Sequence, residues 1–266
     1  MGKGIFGILE KVREQKPIVH HLTNWVTIYD CANIVKVFGA SPVMAHAKEE
    51  VEEMASIASA LVLNIGTLTV SFIDSMKLAA SSANKKGIPV ILDVCGAGAT
   101  NLRNNKTFEI LDSVYVSVIK GNSSEVACIA GENVRTKGVD AGEVGKSLVD
   151  IAVSLAQKRK CTVVITGKED IVTDGAAVYL VKNGDERMSH IVGTGCMAAS
   201  VIGAFCAVEK DLLFASAAGL CCYEIAAELA VKKWAGPGTF KERLYDTAYN
   251  LTEKQVNKLQ KIEKVK

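Results

Sequence analysis

Short apolar runs recur along the chain and alternate with longer stretches in which apolar residues follow helical spacing. The runs are five or six residues long, rich in valine and isoleucine, and apolar on both faces, which is typical of parallel strands covered by helices. They span residues 61–65, 89–93, 114–119 and 162–166. Helical spacing covers residues 48–60, 72–86, 123–130 and 142–158. This alternation predicts an α/β fold, a three-layer α/β/α sandwich with a mostly parallel central sheet.

Two segments depart from the alternation. Residues 170–175 and 177–181 are extended stretches around Asp174-Gly175, which predicts a hairpin and therefore an antiparallel addition near one edge of the sheet. After residue 194 the helical pattern continues to the end of the chain. Because no linker, repeat or shift in composition interrupts the sequence, we expect residues 1–266 to form a single domain.

Composition narrows the class of protein. Of the 266 residues, 49% are hydrophobic and 23% are charged, which is enough apolar material for a sizeable core. The apolar stretch at residues 197–208 is shorter than the roughly 20 residues that span a bilayer. The N-terminus turns charged too early for a signal peptide. We therefore expect a cytoplasmic protein without a membrane-spanning segment.

Charge and cysteine content restrict the expected partners. The net charge is +2 and the basic residues are spread along the chain, so neither nucleic acid nor an anionic membrane is expected to bind. The eight cysteines form no C-x-x-C pair and mostly lie in apolar segments, so we expect reduced thiols in the core. The four histidines lack metal-ligand spacing, which argues against zinc.

Four candidate loop segments follow the predicted strands. In open α/β sheets, ligands bind at the carboxyl ends of the strands. The segments are residues 64–67, 93–98, 120–125 and 166–167. We expect the functional site to be built from these loops.

The stretch Gly193-Thr194-Gly195-Cys196 precedes a run of good helix formers. Unpaired amides at such a helix N-terminus, together with the positive end of the helix dipole, predict an anion site that a phosphate can approach closely. A tight turn without a ligand is the alternative. The G-x-G-x-x-A spacing from Gly193 to Ala198 does not indicate a dinucleotide fold, since only helix follows, and the chain has no P-loop motif.

Two carboxylates are candidate metal ligands. Asp93 ends a predicted strand, and Asn122 and Glu125 share one face at the start of a predicted helix. Mg²⁺ is commonly held by one or two carboxylates together with water and substrate phosphates. Capping is the alternative, because the Asn122–Glu125 pair fits a capping box equally well and Asp93 fits a turn.

Together these motifs resemble the hydroxyethylthiazole kinase family within the ribokinase-like superfamily. The strand-end Asp93, the Asn122-x-x-Glu125 pair and the late Gly-x-Gly motif carry the resemblance. Cys196 makes it specific, because most relatives in the superfamily have aspartate at that position. Similar segments extend over nearly the whole chain, at residues 21–24, 39–45, 48–50, 63–68, 91–93, 96–100, 120–122, 137–142, 193–196 and 236–238.

The resemblance implies transfer of the γ-phosphoryl group of ATP to the hydroxyethyl group of 4-methyl-5-(2-hydroxyethyl)thiazole, a step towards thiamine. It implies that the catalytic residues are Gly193, Thr194, Gly195 and Cys196. The other implied contacts are Met44, Asn24, Gly66, Thr67 and Gly193 for the thiazole, Lys120, Thr166 and Asn122 for ATP, and Asp93 and Glu125 for Mg²⁺. It also implies a homotrimer with active sites at subunit interfaces, so that Asn24 and Met44 could serve a neighbouring protomer.

Three positions depart from the family pattern. Lys120 stands where arginine is common, which keeps the positive charge but loses the bidentate fork. Val94-Cys95 replaces the usual Pro-Val after the strand-end aspartate. Thr194 stands where alanine also occurs.

The thiol of Cys196 has a plausible chemical role at this position. A cysteine at a helix N-terminus has its thiolate stabilised by the dipole, so its pKa falls towards neutrality. Phosphoryl transfer has a loose transition state, for which a weak base suffices. We expect Cys196 to accept or orient the hydroxyethyl proton while the amides of residues 193–196 bind the migrating phosphoryl group.

Three other functions are compatible with the same residues. One is a kinase for another heterocyclic alcohol, of the hydroxymethylpyrimidine or pyridoxal type. Another is a cysteine hydrolase or acyl transferase with Cys196 as nucleophile and His190 as base. The third is a nucleotide-binding module that does not turn over. Release of ADP that depends on the thiazole alcohol and on Mg²⁺ would distinguish a hydroxyethylthiazole kinase from all three alternatives.

Overall fold

The computed structural model describes residues 4–132 and 147–265. The strands of this part of the chain form one nine-stranded sheet in the order β2-β1-β3-β4-β5-β6-β7-β8-β9. The pairs from β2 to β6 are parallel and those from β6 to β9 are antiparallel. The strands are β1 (Ile18–Leu22), β2 (Ser41–Val43), β3 (Ala60–Asn64), β4 (Val90–Asp93), β5 (Val118–Asn122), β6 (Thr162–Thr166), β7 (Asp170–Thr173), β8 (Val178–Val181) and β9 (Ile262–Lys264).

Helices connect the strands and cover both faces of the sheet. They are α1 (Ile5–Gln15), α2 (Ile28–Phe38), α3 (Val51–Ile57), α4 (Val70–Lys86), α5 (Asn101–Ser113), α6 (Ser123–Ala130), α7 (Leu148–Arg159), α8 (Thr194–Cys206), α9 (Leu212–Val231), α10 (Pro237–Tyr249) and α11 (Glu253–Leu259). A 3₁₀ turn (Glu186–His190) precedes α8.

Two hydrophobic cores lie on opposite faces of the sheet. Successive strand residues point to opposite faces, so Val62 and Ile91 join the core with α1, α2, α8, α9 and α10. Their neighbours Leu63 and Leu92 join the core with α3 to α7. The predicted three-layer α/β/α sandwich with a mostly parallel sheet is therefore confirmed.

The first helix is fixed by elements from the end of the chain. Its apolar face packs against α9 and α11. Arg13 donates from Nη1 to the carbonyl of Leu251 at 2.9 Å and from Nη2 to that of Tyr249 at 2.9 Å. These bonds satisfy carbonyls at and just beyond the end of α10, where a helix leaves its last carbonyls unpaired.

The observed boundaries correct several predictions. The strand expected at 114–119 begins only at Val118 and continues to Asn122, because Val118 is the first residue that pairs with both neighbouring strands. The helix expected at 48–60 is limited to α3, and that expected at 142–158 is observed as α7, with residues 142–146 outside the described residues. The hairpin is confirmed as β7–β8. The helical pattern does not continue to the end, because β9 pairs with β8.

The elements α1, α2, α5, β1 and β2 were not predicted. In α1 and α2 the buried apolar residues do follow helical spacing, at positions 5, 8, 9 and 12 and at positions 31, 34, 35 and 38, so this signal was missed. In α5 only Thr107, Ile110 and Leu111 are buried, so its apolar periodicity is faint. In β1 two of the five residues are histidines, which interrupt an otherwise apolar run.

Helix α9 is long and apolar enough to cross a membrane by length and composition alone. The expectation that the chain has no membrane-spanning segment was based on residues 197–208 alone and did not take α9 into account. Most of α9 is buried inside the protein, where α1, α8 and α10 pack around it. Burial in the core accounts for its apolar composition.

Candidate active site

Polar side chains from neighbouring strands converge at the N-terminus of α8. Asn64 ends β3, Asp93 ends β4, and the two are directly paired in the parallel register. Lys120 is the next residue across, on β5. Asn24 follows β1 on the other side of β3. The sheet register thus aligns an amide, a carboxylate and an ammonium in one row beneath the helix.

The two asparagines direct their amide groups at the sulfur of Cys196. Asn24 Nδ2 and Asn64 Nδ2 each donate to Cys196 Sγ at 3.3 Å. Asn64 Nδ2 also donates to Asp93 Oδ2 at 2.7 Å, and Asn24 Nδ2 to Asn64 Oδ1 at 3.0 Å. Two donors on one sulfur favour the thiolate over the thiol, because hydrogen bonds to a charged form stabilise it.

The surroundings of Cys196 lower its pKa to about 5. The largest cause is a hydrogen bond from the Cys95 thiol, and Thr27, Lys120 and Asn24 act in the same direction, while burial opposes them. These contacts therefore favour the thiolate form of Cys196 at neutral pH, although its side chain is buried. All eight cysteines are free, as expected, and six of them are buried.

Asp93 and Lys120 form a buried ion pair beside the thiolate. Lys120 Nζ lies 3.4 Å from Asp93 Oδ1, and both side chains are at most 5% exposed. Burial raises the pKa of Asp93 to about 7, against the opposing effect of Lys120. Burial opposes the charge of Lys120, but Asp93 and Cys196 raise its pKa overall. One cation therefore faces two groups that can carry negative charge.

The first turn of α8 is shaped by two glycines. Gly193 caps the helix with φ of 94°, and a Cβ there would lie 2.4 Å from Thr27 Cγ2, so only glycine fits. A Cβ on Gly195 would lie 3.1 Å from Lys120 Nζ. The Tyr223 hydroxyl donates to the Thr194 carbonyl at 3.1 Å and thereby holds the first turn of α8 in place. The opening amides of α8 thus lie beside the ion pair.

Glu125 and Asn122 form the capping box that was one of their two interpretations. Asn122 Oδ1 accepts from the Glu125 amide at 2.9 Å, and Glu125 Oε2 accepts from the Asn122 amide at 2.8 Å. Glu125 Oε1 accepts from the Gly96 amide at 2.7 Å, which ties α6 to the loop after β4. Glu125 also raises the pKa of Asp93, so the two carboxylates are electrostatic neighbours.

Thr166 lies next to Asn122 in the paired register of β5 and β6. Its Oγ1 donates to the Gly121 carbonyl at 3.4 Å. Both residues are thus on the β5–β6 side of the cluster, apart from the asparagines that contact Cys196.

The predicted substrate residues lie on the opposite side, around β1 and β2. The Gly66 amide donates to Asn64 Oδ1 at 2.9 Å, so Gly66 borders the cluster directly. Thr67 Oγ1 accepts from the Trp25 amide at 3.1 Å. Met44 lies further out, after the edge strand β2, in a segment held by His20, whose Nε2 donates to the Ala45 carbonyl at 2.7 Å.

The sequence pattern missed Arg103 of α5. Its Nη1 donates to the carbonyls of Ile65 and Cys95, at 2.9 and 3.1 Å, and its Nη2 donates to that of Gly66 at 2.7 Å. One guanidinium therefore joins the loop after β3 to the loop after β4. No sequence signal indicates this role, because α5 itself was not predicted.

Three contacts of Cys196 were also missed, those with Asn64, Thr27 and Cys95. Asn64 is the first residue of the segment 64–67, which was singled out because it follows a predicted strand. That position is the one sequence signal that could have identified Asn64. Cys95 lies in the segment 93–98, which was singled out on the same ground. The contact of Thr27 with Cys196 depends on how distant loops meet, and local spacing does not report that.

The hydrolase alternative requires contact between Cys196 and His190. His190 is exposed, and its ring centroid lies 6.1 Å from that of Trp234. The polar partners that the described residues give Cys196 are amides, a thiol, a hydroxyl and an ammonium. The geometry therefore lacks the imidazole base that a cysteine nucleophile of this kind uses.

Comparison with known proteins identifies the family. The model of the hydroxyethylthiazole kinase family matches residues 9–254. A hydroxyethylthiazole kinase of Methanosarcina mazei is 54% identical, covering 97% of this chain and 98% of its own. The structure of a hydroxyethylthiazole kinase from Pyrococcus horikoshii superposes with a TM-score of 0.91 at 40% identity, covering 98% of this chain and 99% of that one. A ribokinase-like protein of Enterococcus faecalis has a TM-score of 0.66 at 12% identity, covering 93% of this chain and 94% of that one, which shows the fold alone. This chain belongs to the hydroxyethylthiazole kinase family.

Proposed function

We propose that the protein transfers the γ-phosphoryl group of ATP to the hydroxyethyl group of 4-methyl-5-(2-hydroxyethyl)thiazole, in thiamine biosynthesis or salvage. One observation carries the proposal beyond family membership. The Cys196 thiolate, held by Asn24 and Asn64, stands at the helix N-terminus beside a buried Asp93–Lys120 pair. A weak base, an anion site and a compensating cation meet at one point, as phosphoryl transfer requires.

The opening amides of α8 are proposed to bind the migrating phosphoryl group. Gly193 allows the sharp entry into the helix, and the absence of a side chain on Gly195 leaves its amide open beside Lys120. Thr194 contributes its amide to the same turn. These dipoles are already oriented before the reaction, so no reorganisation is needed as charge develops on the phosphoryl oxygens. Lys120 adds a positive charge for the ATP phosphates.

Cys196 is proposed to accept or orient the proton of the acceptor hydroxyl. Because its pKa is lowered to about 5, the sulfur is ready to accept a hydrogen bond at neutral pH. The loose transition state places little demand on base strength, so an anion with a pKa of this order suffices. Asn24 and Asn64 fix the sulfur and orient its free lone pairs.

Asp93 and Glu125 are proposed to hold Mg²⁺ with the ATP phosphates. The donor set fits this ion, since the two groups are hard carboxylate oxygens and one of them, Asp93, is buried at the strand end. Bound Mg²⁺ would supply positive charge that offsets the charge of the ATP phosphates. The contribution of the chain is to hold Asp93 through Asn64 and to fix Glu125 through the amides of Gly96 and Asn122.

Substrate contacts are proposed on both sides of this centre. Asn24, Gly66, Thr67 and Met44 would surround the thiazole, and Asn122 and Thr166 would contact ATP. A homotrimer with active sites between subunits is proposed as well. An interface on this side is supported by three apolar side chains among the five residues after Asn24 that are 48 to 72% exposed, namely Trp25, Val26 and Tyr29. We further propose that the chain works as one domain in the cytoplasm.

The test is a coupled assay of ADP release with a panel of vitamin-precursor alcohols. The thiazole alcohol should support turnover, and the hydroxymethylpyrimidine and pyridoxal-type alcohols should not. Cys196→Ala should lower kcat by about a hundredfold, because the proton acceptor is lost. Cys196→Asp should stay active, because a carboxylate supplies the same weak base. Wild-type kcat in the Ala variant would remove the role of Cys196, and preference for another alcohol would overturn the substrate.

A further inference from the structure

A pair of buried acids lies near the same edge of the sheet, outside the cluster that contains Cys196. Asp170 begins β7 and is 2% exposed, and Glu224 on α9 is 8% exposed. The two carboxyl groups are within hydrogen-bonding reach of each other. Among the described residues, no hydrogen-bond donor reaches Asp170 Oδ2 or Glu224 Oε2. Two ionised carboxylates this deeply buried would repel each other and leave both oxygens unsatisfied.

We propose that Glu224 is a neutral acid that donates a hydrogen bond to the Asp170 carboxylate, and that this bond is a positioning element of the nucleotide site. A single proton satisfies both orphaned oxygens at once. This proposal deepens the proposed kinase function and depends on it only for the effect on ATP.

The surroundings assign the proton to Glu224 and the charge to Asp170. Asp170 Oδ1 accepts from the Gly167 amide at 2.9 Å, and Lys120 on β5 attracts its negative charge. Glu224 packs against the backbone of Gly184, and the nearby Glu228 disfavours its ionisation.

The remaining ionisable groups around the pair act less directly. Lys261, just before β9, opposes the protonation of Glu224, but it is engaged by Glu228 at 2.9 Å. Tyr223 and Cys221 on α9 are the other titratable neighbours, and both have raised pKa values, so they are neutral near pH 7. Burial raises the pKa of Glu224 well above its ordinary value of 4.5.

This bond connects helix α9 to both halves of the proposed nucleotide site. Asp170 holds the turn at Gly167, directly after Thr166, the proposed ATP contact. The residue before Glu224 is Tyr223, whose hydroxyl holds the Thr194 carbonyl at the start of α8. Two adjacent residues of one buried helix thus fix the turn after β6 and the phosphoryl-binding turn.

The first test is infrared spectroscopy of the full-length protein at pH 7. The wild type should show the carbonyl stretch of a buried protonated carboxyl group. Asp93, whose pKa is about 7, can give a band of the same kind, so the band of Glu224 is identified in the difference between the spectra of the wild type and of Glu224→Gln. Glu10→Gln, a control that neutralises an exposed glutamate on α1, should show no such difference from the wild type. Absence of a carboxyl band from the difference spectrum of Glu224→Gln overturns the proposal. This measurement does not require that the protein be a kinase.

The second test follows the melting temperature against pH. A raised pKa in the folded state means that the folded protein binds more protons, so stability is lost as pH rises above 4.5 towards the folded value. Glutamine cannot ionise and still donates to Asp170. Glu224→Gln should therefore melt no lower than the wild type at pH 8, and its advantage should grow between about pH 5 and pH 8. Glu224→Ala, which leaves Asp170 unpaired, should melt about 5 °C lower.

Adding cations tests whether the Asp170–Glu224 pair shares a proton or binds a metal ion. If Na⁺, K⁺ or Mg²⁺ raises the melting temperature of the wild type and not that of Glu224→Gln, a cation occupies the pair and the proposal fails. In the kinetic assay, Glu224→Ala should raise KM for ATP about tenfold with kcat nearly unchanged, and Glu224→Gln should restore the wild-type KM. A kcat loss without a KM change contradicts the positioning role. Inactivity of the wild type would refute the proposed function and leave the spectroscopic and melting results standing.

Discussion

Two buried aspartates at one edge of the sheet are stabilised by different kinds of neighbour. Asp93, at the end of β4, faces the ammonium of Lys120 at 3.4 Å. Asp170, at the start of β7, faces the carboxyl group of Glu224. Both are at most 2% exposed, so neither can rely on water. One site has a cation and an additional thiolate, and the other has a second acid.

The difference shows that burial alone does not decide what a carboxylate does. At Asp93 the neighbouring cation compensates further negative charge, which suits a site that binds phosphates. At Asp170 no cation among the described residues is in contact, and the proposed proton neutralises Glu224, which then donates to the Asp170 carboxylate in a rigid hydrogen bond. Neutralising the aspartate should therefore lower kcat far more at Asp93 than at Asp170.

The largest expected contrast is between Asp93→Asn and Asp170→Asn. Asp93→Asn removes a proposed metal ligand and the partner of Lys120, so kcat should fall about a thousandfold. In Asp170→Asn the amide oxygen can still accept from Gly167 and the amide nitrogen can donate to Glu224, so kcat should stay within about threefold. Both are measured by ADP release, with circular dichroism as a check of folding. Equal losses in the two variants would refute the contrast.

Removal of the cation should affect stability at the Asp93 site. In Lys120→Met, Asp93 and Cys196 lose the charge that compensates them, and the free energy of unfolding should fall by about 2 kcal/mol at pH 8. The loss should shrink at pH 5, because Asp93, whose pKa is about 7 with Lys120 present, then takes up a proton. Urea unfolding at the two pH values measures it. The exposed Lys85→Met serves as control, and a loss that does not depend on pH would contradict this account.

The smallest expected effect concerns the thiol that supports the thiolate. Cys95→Ala removes the largest cause of the low pKa of Cys196, so the pH midpoint of its alkylation by iodoacetamide should rise by about one unit. Cys95→Ser keeps a hydroxyl donor and should shift the midpoint less. Mass spectrometry of the peptide that contains Cys196 follows the reaction. Identical midpoints in the wild type and Cys95→Ala would show that Cys95 plays no part.

Much of the candidate site could be predicted from short patterns. Two glycines before a cysteine and a helix indicated the turn at α8, and Asp93 was found because it ends an apolar run. Both depend on local backbone preferences, which a sequence displays directly. The family resemblance added the substrate residues, which no spacing indicates.

The remaining part depends on which distant segments meet. Arg103 contacts two loops from a helix with little apolar periodicity, and Glu224 meets Asp170 across 54 positions of the chain, from 170 to 224. Lys120 was expected just past a strand and lies within β5, because backbone pairing with β4 and β6 continues through polar residues. Tertiary pairing overrides the side-chain pattern in such cases.

The position of α1 has a consequence for synthesis of the protein. This helix is made before α9 and α11, against which it packs, and before the end of α10, where Arg13 binds carbonyls. A ribosome must therefore add more than two hundred residues before the apolar face of α1, with Ile5, Ile8, Leu9 and Val12, is covered. During that interval the nascent chain exposes a surface that chaperones recognise, and final closure of the fold waits for the last helices.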